Sequence, residues 1–152
     1  MSPGKVRAAS VLHKSALVDE MIRGLDALPL TSLDDFRRDP RDVAAAESYL
    51  RRSLEALLDL ARHVLAKAVG QGDLEYKQAA TALGRAGVVD GEYGDLLVEM
   101  AGYRNRLTLF YDEVTTAELF DICAHRRTDV LRVRDAIFAW LRLHPEAVDG
   151  EL

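Results

Sequence analysis

The chain has 152 residues, of which 49% are hydrophobic and 30% charged. That balance excludes a disordered or fibrous polymer and fits one soluble domain able to bury a core without metal or disulfide. Twenty basic against 25 acidic side chains leave a net charge of −5, which excludes whole-molecule attraction to nucleic acid but not a local basic patch.

Taken in chain order, the apolar residues repeat at the helical period, and no stretch alternates as a strand would. From about Val6 to Leu28, the positions Val11, Val18, Ile22 and Leu25 line one face before Leu28-Pro29-Leu30 ends the helix. In the link TSLDDFRRDP, Thr31 or Ser32 is placed to cap a single turn and Phe36 to plug the core. Asp39 then caps a helix with Pro40 in its first turn, where a missing N–H costs nothing. Its stripe of Val43, Leu50, Leu54, Leu57, Leu58, Ala61, Val64, Leu65 and Ala68 runs to Gly70. Asp73 is the expected cap of a third helix from Leu74 to about Ala86, closed by Gly87, and Asp90 of a fourth from about Glu92 toward Phe110. Thr115 and Glu118 have capping-box spacing. Beyond them, Leu119, Ile122, Cys123, Val130, Val133, Ile137, Trp140 and Leu141 keep one apolar face up to Pro145. The predicted architecture is therefore all-α, an antiparallel bundle of four to five helices over residues 1–145, with a frayed acidic tail over residues 146–152.

Cys123 is the only cysteine, so an internal disulfide framework and a cysteine zinc site are excluded and a reducing compartment, the cytoplasm, is expected. No apolar run approaches the ~20 residues of a membrane span, and MSPGKVRAAS lacks the apolar core of a signal peptide. No membrane association is expected.

Pattern alone leaves function open; three segments narrow it. They read ESYLRRSLEALLDLARHVLAK, DLEYKQAATALGRAGVVDGE and MAGYRNRLTLFYDEV. In order and spacing they resemble the HepT-like proteins, the toxin halves of HEPN/MNT (type VII) toxin–antitoxin pairs, over nearly the whole chain. The resemblance implies an all-helical, homodimeric, metal-independent endoribonuclease, needing no cofactor. It would be encoded beside an MNT-type nucleotidyltransferase antitoxin and act on RNA, with tRNA a candidate. The family motif is Arg, four residues, His, one residue, Tyr, written around an Arg-Asn pair. Here the pair is Arg104-Asn105 and the tyrosine is Tyr111, but the histidine position holds Leu109.

Metal-free RNA cleavage requires a base for the 2′-hydroxyl proton, an acid for the departing 5′-oxygen and positive charge at the phosphate. Arg104 can supply the charge, since a guanidinium stays protonated and grips two phosphate oxygens at once. Leu109 can exchange no proton, and loss of an acid–base residue costs on the order of 10²–10⁴ in rate. The chain is therefore expected to be a weak or inactive ribonuclease. Leu109 is then either natural divergence or a codon lost so that a host tolerates the toxin, and the otherwise intact motif favours the second. Tyr111 is, by the resemblance, the acceptor to which the antitoxin transfers AMP.

Helix geometry adds a constraint. At about 100° per residue, Arg104 and Tyr111 align on an unbroken helix while position 109 is turned about 140° from Arg104. One site then needs either a helix that loosens near Thr108 or two motifs meeting across a symmetric dimer, and the dimer is favoured. Arg106 points elsewhere and reads as a solvated charge. Asp112 and Glu113, being adjacent, do not converge on one ion, so no metal site is expected. His13, His63, His125 and His144 lie far in sequence from Arg104 and read as structural or solvated. Arg126, Arg127, Arg132 and Arg134 form a basic run whose ordinary meaning is a solvated face, with RNA guidance by Arg126 and Arg127 a minor alternative. Cys123 and Trp140 are expected in packing roles.

Two other functions fit the same residues. One is a non-catalytic helical module that binds RNA or a nucleotide through Arg104 and Asn105. The other is a structural dimerisation adaptor.

Overall fold

The third helix is the axle of the fold. In the computed structural model, which describes residues 4–152, α3 (Pro40–Val64) packs against every other helix. The first three residues of the predicted domain lie outside the described residues. Asp39 Oδ1 accepts the Arg41 N–H at 2.9 Å and Pro40 occupies the first turn, as the sequence predicts. The stripe Leu50, Leu54, Leu57, Leu58, Ala61 and Val64 is buried, and the helix continues into a π turn, Leu65–Val69. Gly70 ends it at φ 80°, a conformation that favours glycine.

Helix α1 (Ala8–Asp26) lies antiparallel along α3 and buries the predicted Val11, Val18, Ile22 and Leu25. The helices touch where Gly24 meets Tyr49, and a Cβ at Gly24 would sit 2.5 Å from the Tyr49 ring. At the other end, the Arg7 backbone N–H donates to His63 Nε2 at 3.0 Å. A single turn, α2 (Leu33–Arg37), is capped by Ser32, whose Oγ accepts from the Asp35 N–H. Its Phe36 is fully buried, 5.7 Å from Phe120 between ring centroids, which confirms the expected plug.

The remaining helices are α4 (Tyr76–Arg85), α5 (Gly91–Leu109) and α6 (Thr116–Leu143). Helices α4 and α5 form an antiparallel hairpin in which Gly84 and Gly94 meet, a Cβ on Gly94 lying 3.4 Å from the Gly84 Cα. Asp90 caps α5 by accepting the Tyr93 N–H, as expected. Helix α6 runs antiparallel to α5 and to α1. Arg126 bonds Glu99 at 2.9 and 3.0 Å, and Arg127 and Arg134 reach Asp26 and Asp19, each at 2.7 Å. The all-α bundle is thus as predicted: five long helices and the single turn.

Three details differ from expectation. Glu75, not Asp73, caps α4, in a reciprocal box with Gln78, while Asp73 takes a positive φ of 57° in the preceding loop. Thr115 does accept the Glu118 N–H at 3.1 Å, but the Glu118 carboxylate turns to Arg106 instead of closing a capping box. Helix α5 ends at Phe110 (φ −134°, ψ 41°), where the sequence placed its end, and Tyr111–Glu113 forms a separate 3₁₀ turn. The acidic tail is pinned, not frayed. Val6 and Val148 pair as an isolated bridge, Val148 is buried, and Asp149 Oδ1 accepts the Ala8 N–H at 2.8 Å. Apolar burial of Val6 and Val148 together explains this, and neither residue predicts it alone.

His63 makes the junction of α1 and α3 sensitive to acid. Burial holds its imidazole below the ordinary 6.5, and Lys67, Lys14 and Arg7 act in the same direction against Asp149. An Nε2 that accepts the Arg7 N–H must be unprotonated. The folded chain therefore binds this proton less readily than the unfolded one. The contribution is complete above pH 6.5 and is lost as the pH falls from there toward the lowered folded value. Urea unfolding at about pH 7.5 and about pH 5.5 should show a larger acid loss in the unaltered chain than in His63→Gln; equal losses would assign the acid sensitivity elsewhere.

Candidate functional site

Arg104 lies in the last two turns of α5 and points toward α3 and α4 rather than into open solvent. Its side chain is 24% exposed. The guanidinium carbon sits 4.7 Å from the centroid of the Tyr76 ring at the start of α4. Nε lies 3.5 Å from Glu55 Oε1 on α3, without hydrogen-bond geometry, and one terminal N–H donates to Asn105 Oδ1 at 3.3 Å. Glu55 divides its charge, since Arg51 donates to the same oxygen at 3.4 Å. The Arg104 Nε–H is buried with no hydrogen-bond partner. An unmet buried donor costs roughly 1–3 kcal/mol, more for a charged group, so such a group calls for an explanation.

Tyr76 is itself fixed. Its phenol donates to Asp59 Oδ1 at 2.6 Å, and the Arg62 guanidinium carbon lies 5.0 Å from its ring centroid. Burial, followed by the bond to the Asp59 carboxylate, pushes this phenol up to about 12, against the opposing charges of Arg104 and Arg62. It stays protonated at any physiological pH.

The other motif residues fan out over the end of α5. Leu109 is 65% exposed, Phe110 50% and Tyr111 64%, three adjacent large apolar side chains in water at one end of the bundle. Leu109, Phe110, Val98, Gly102, Tyr103, Asn105, Arg106 and Lys77 line a shallow groove beside them. Because the helix ends at Phe110, Tyr111 does not share an unbroken helical face with Arg104, and the alignment that an unbroken helix would give does not apply. Within one chain, Arg104 is grouped with Asn105, Glu55 and Tyr76, while Leu109 and Tyr111 look outward.

The other arginines singled out in the sequence are committed elsewhere. Arg106, expected as a solvated charge, forks onto Glu118, and this bond holds the Glu118 carboxyl below the usual range. Arg126 bonds both Glu99 oxygens and Asp129. Arg127 bonds Asp26 and the carbonyls of Cys123 and Ala124. The basic run thus ties α6 to its neighbours. Cys123 is buried as expected, and burial pushes its thiol up to about 12. Trp140 stacks on His144 at 4.2 Å, whose Nδ1 meets the Trp140 carbonyl at 2.8 Å.

The sequence pointed to Arg104, Asn105, Leu109 and Tyr111 but not to Glu55, Asp59 and Tyr76. The last three are distant in sequence and belong to the site only through packing. The one available signal was an aromatic beginning a helix, and many helices have that. Among the described residues, no group of three or more His, Cys, Asp or Glu is placed to hold a metal, and no helix is long and apolar enough to cross a membrane.

Comparison with known proteins gives the arrangement a context. The family model described as ribonuclease HepT-like matches residues 18–137, a span that holds Glu55, Tyr76, Arg104 and Tyr111. The chain belongs to the HepT-like ribonuclease family. Its fold matches a tri-AMPylated Shewanella oneidensis HEPN toxin in complex with its MNT antitoxin, with a TM-score of 0.76, 21% identity, and 86% of this chain and 97% of the other covered. A toxin–antitoxin structure with AMP-PNP matches at TM-score 0.75 and 20% identity, covering 84% and 97%. YutE, a cytosolic protein of unknown function from Bacillus subtilis, matches at TM-score 0.75 and 16% identity, covering 90% and 91%. At such identities these likenesses establish the HepT-like fold. No curated protein matches the sequence.

Proposed function

We propose that the chain is the toxin half of a HEPN/MNT pair. It would be a homodimeric, metal-independent endoribonuclease acting on RNA, with tRNA a candidate substrate. An MNT-type nucleotidyltransferase would neutralise it by transferring AMP to Tyr111. The observation that carries the reading is the register of Arg104-Asn105, Leu109 and Tyr111 inside the family-matched span. The exposed Leu109, Phe110 and Tyr111 at the end of α5 support a cleft completed by a second copy, because contiguous apolar groups left in water mark a contact surface. One structural neighbour, the Shewanella HEPN toxin, is tri-AMPylated and bound to an MNT antitoxin, which supports the partner and the modification.

In this reading Arg104 neutralises the phosphate as negative charge grows on it, and Asn105, bonded to Arg104, holds that side chain in place. Position 109 is where the proton carrier belongs, and Leu109 carries none, so the chain is weak or inactive as a nuclease. On Tyr111, the phenol oxygen would attack the α-phosphorus of ATP, losing its proton and releasing pyrophosphate. The product places a nucleotide and a negative charge at the mouth of the cleft, against RNA.

Leu109→His should restore RNA cleavage by on the order of 10²–10⁴-fold, measured on purified RNA and as growth arrest relieved by the antitoxin. Arg104→Ala in that background should abolish it again. A revertant that binds RNA but cuts none would favour a non-catalytic binding module, and indifference of every binding assay to Arg104→Ala would favour a structural adaptor. Incubation with the nucleotidyltransferase and ATP should add AMP to Tyr111 by mass spectrometry; equal adducts on Tyr111→Phe would refute that acceptor. RNA guidance by Arg126 and Arg127 forms a minor part of the proposal. Replacing both with Ala should lower the salt slope of RNA binding by up to about 2, and an unchanged slope would leave them as ion pairs only.

A further inference from the structure

The arginines at the end of α5 and on α6 are held differently. Arg106 and Arg126 each fork onto a glutamate, which fixes the side chain but occupies its donors and cancels its charge. Arg104 is fixed differently. Its guanidinium carbon lies 4.7 Å from the Tyr76 ring, and its nearest carboxylate, Glu55, is 3.5 Å away and shared with Arg51. A ring face attracts a guanidinium through its quadrupole and uses none of its N–H groups. The ring can act this way only if it is itself anchored, and Asp59 anchors it by accepting the phenol proton at 2.6 Å.

We infer that Tyr76, anchored by Asp59, is a positioning residue that orients Arg104 while sparing its donors for a phosphate. The inference rests on the reading of Arg104 as the cation that meets RNA, and it adds residues of α3 and α4 to a site otherwise confined to α5 and the turn beyond it. It is also consistent with the unpartnered Nε–H: the ring face sets the guanidinium's orientation, and in that orientation the Glu55 oxygen 3.5 Å away, shared with Arg51, does not line up as an acceptor. A carboxylate forked onto the guanidinium, as Glu118 is on Arg106, would satisfy that N–H but compete with the phosphate.

The test uses two readouts. The first, independent of activity, is the Arg104 Nε–H resonance in 15N-labelled protein, with its exchange rate and its contacts to ring protons. Tyr76→Leu should speed exchange about tenfold or more, while Tyr76→Phe, which keeps the ring, should restore most of the protection. The second is cleavage by the Leu109→His protein: Tyr76→Leu should lower kcat about tenfold or more with KM changed less than about threefold, and Tyr76→Phe should recover most of that loss. Exchange and kcat both unmoved by Tyr76→Leu in a folded protein would overturn the inference. If Leu109→His cuts no RNA while Tyr76→Leu still frees the Arg104 N–H, the nuclease reading fails and the orientation by Tyr76 stands. If cleavage returns and neither it nor the Arg104 exchange responds to Tyr76→Leu, the nuclease reading stands and the orientation by Tyr76 fails. Should Tyr76→Leu not fold, the unaltered chain decides: ring contacts and slow exchange at Arg104 uphold the inference, and a freely rotating side chain refutes it.

Discussion

A helix walled in on nearly every side has to settle its polar groups with whatever surrounds it, and α3 is in that position. It packs against all the other helices, so the polar side chains on its inward faces meet partners from another element or from its own backbone. Ser53 donates to the Leu50 carbonyl, Asp59 accepts from Tyr76, Glu55 faces Arg104, and His63 accepts from the Arg7 backbone. Three of these four contacts draw another part of the chain toward α3, and two of them shape the candidate site. Arg104 of α5 is thus set against α3, directly through Glu55 and indirectly through Asp59 and Tyr76.

Local chemistry made much of the fold readable. Asp39 with Pro40, Asp90 and Thr115 are caps whose partners lie two or three residues away, so sequence spacing is enough to place them. The α3 stripe is long and regular, and its burial follows. Readability fails where two local solutions compete or where the partner is remote. Asp73 and Glu75 are both able to cap α4, and the choice falls to Glu75 because Gln78 returns the bond. Glu118 had a local role on offer but met the guanidinium of Arg106, a stronger partner than a backbone N–H. The tail depended on Val6, more than a hundred residues earlier in the chain.

The site divides along the same line. Arg104, Asn105, Leu109 and Tyr111 stand in one short segment and are legible as a motif. Their arrangement was only half legible: the end of α5 near Phe110 could be read from the pattern, but the 3₁₀ turn that carries Tyr111 could not. Leu109 is telling for another reason. A leucine chosen for packing would be buried, yet this one is largely in solvent. With Phe110 and Tyr111 it leaves a contiguous apolar patch at the end of α5 instead of extending the core.

Cys123 carries a practical consequence. The chain has no other sulfhydryl, and this one is sealed in the interior with its ionisation pushed far above neutrality. Thiolates, not thiols, react with maleimides and iodoacetamides. A cysteine introduced at a chosen surface position would therefore be the sole reactive handle, and a fluorophore or spin label attached there would report from one place in the folded protein.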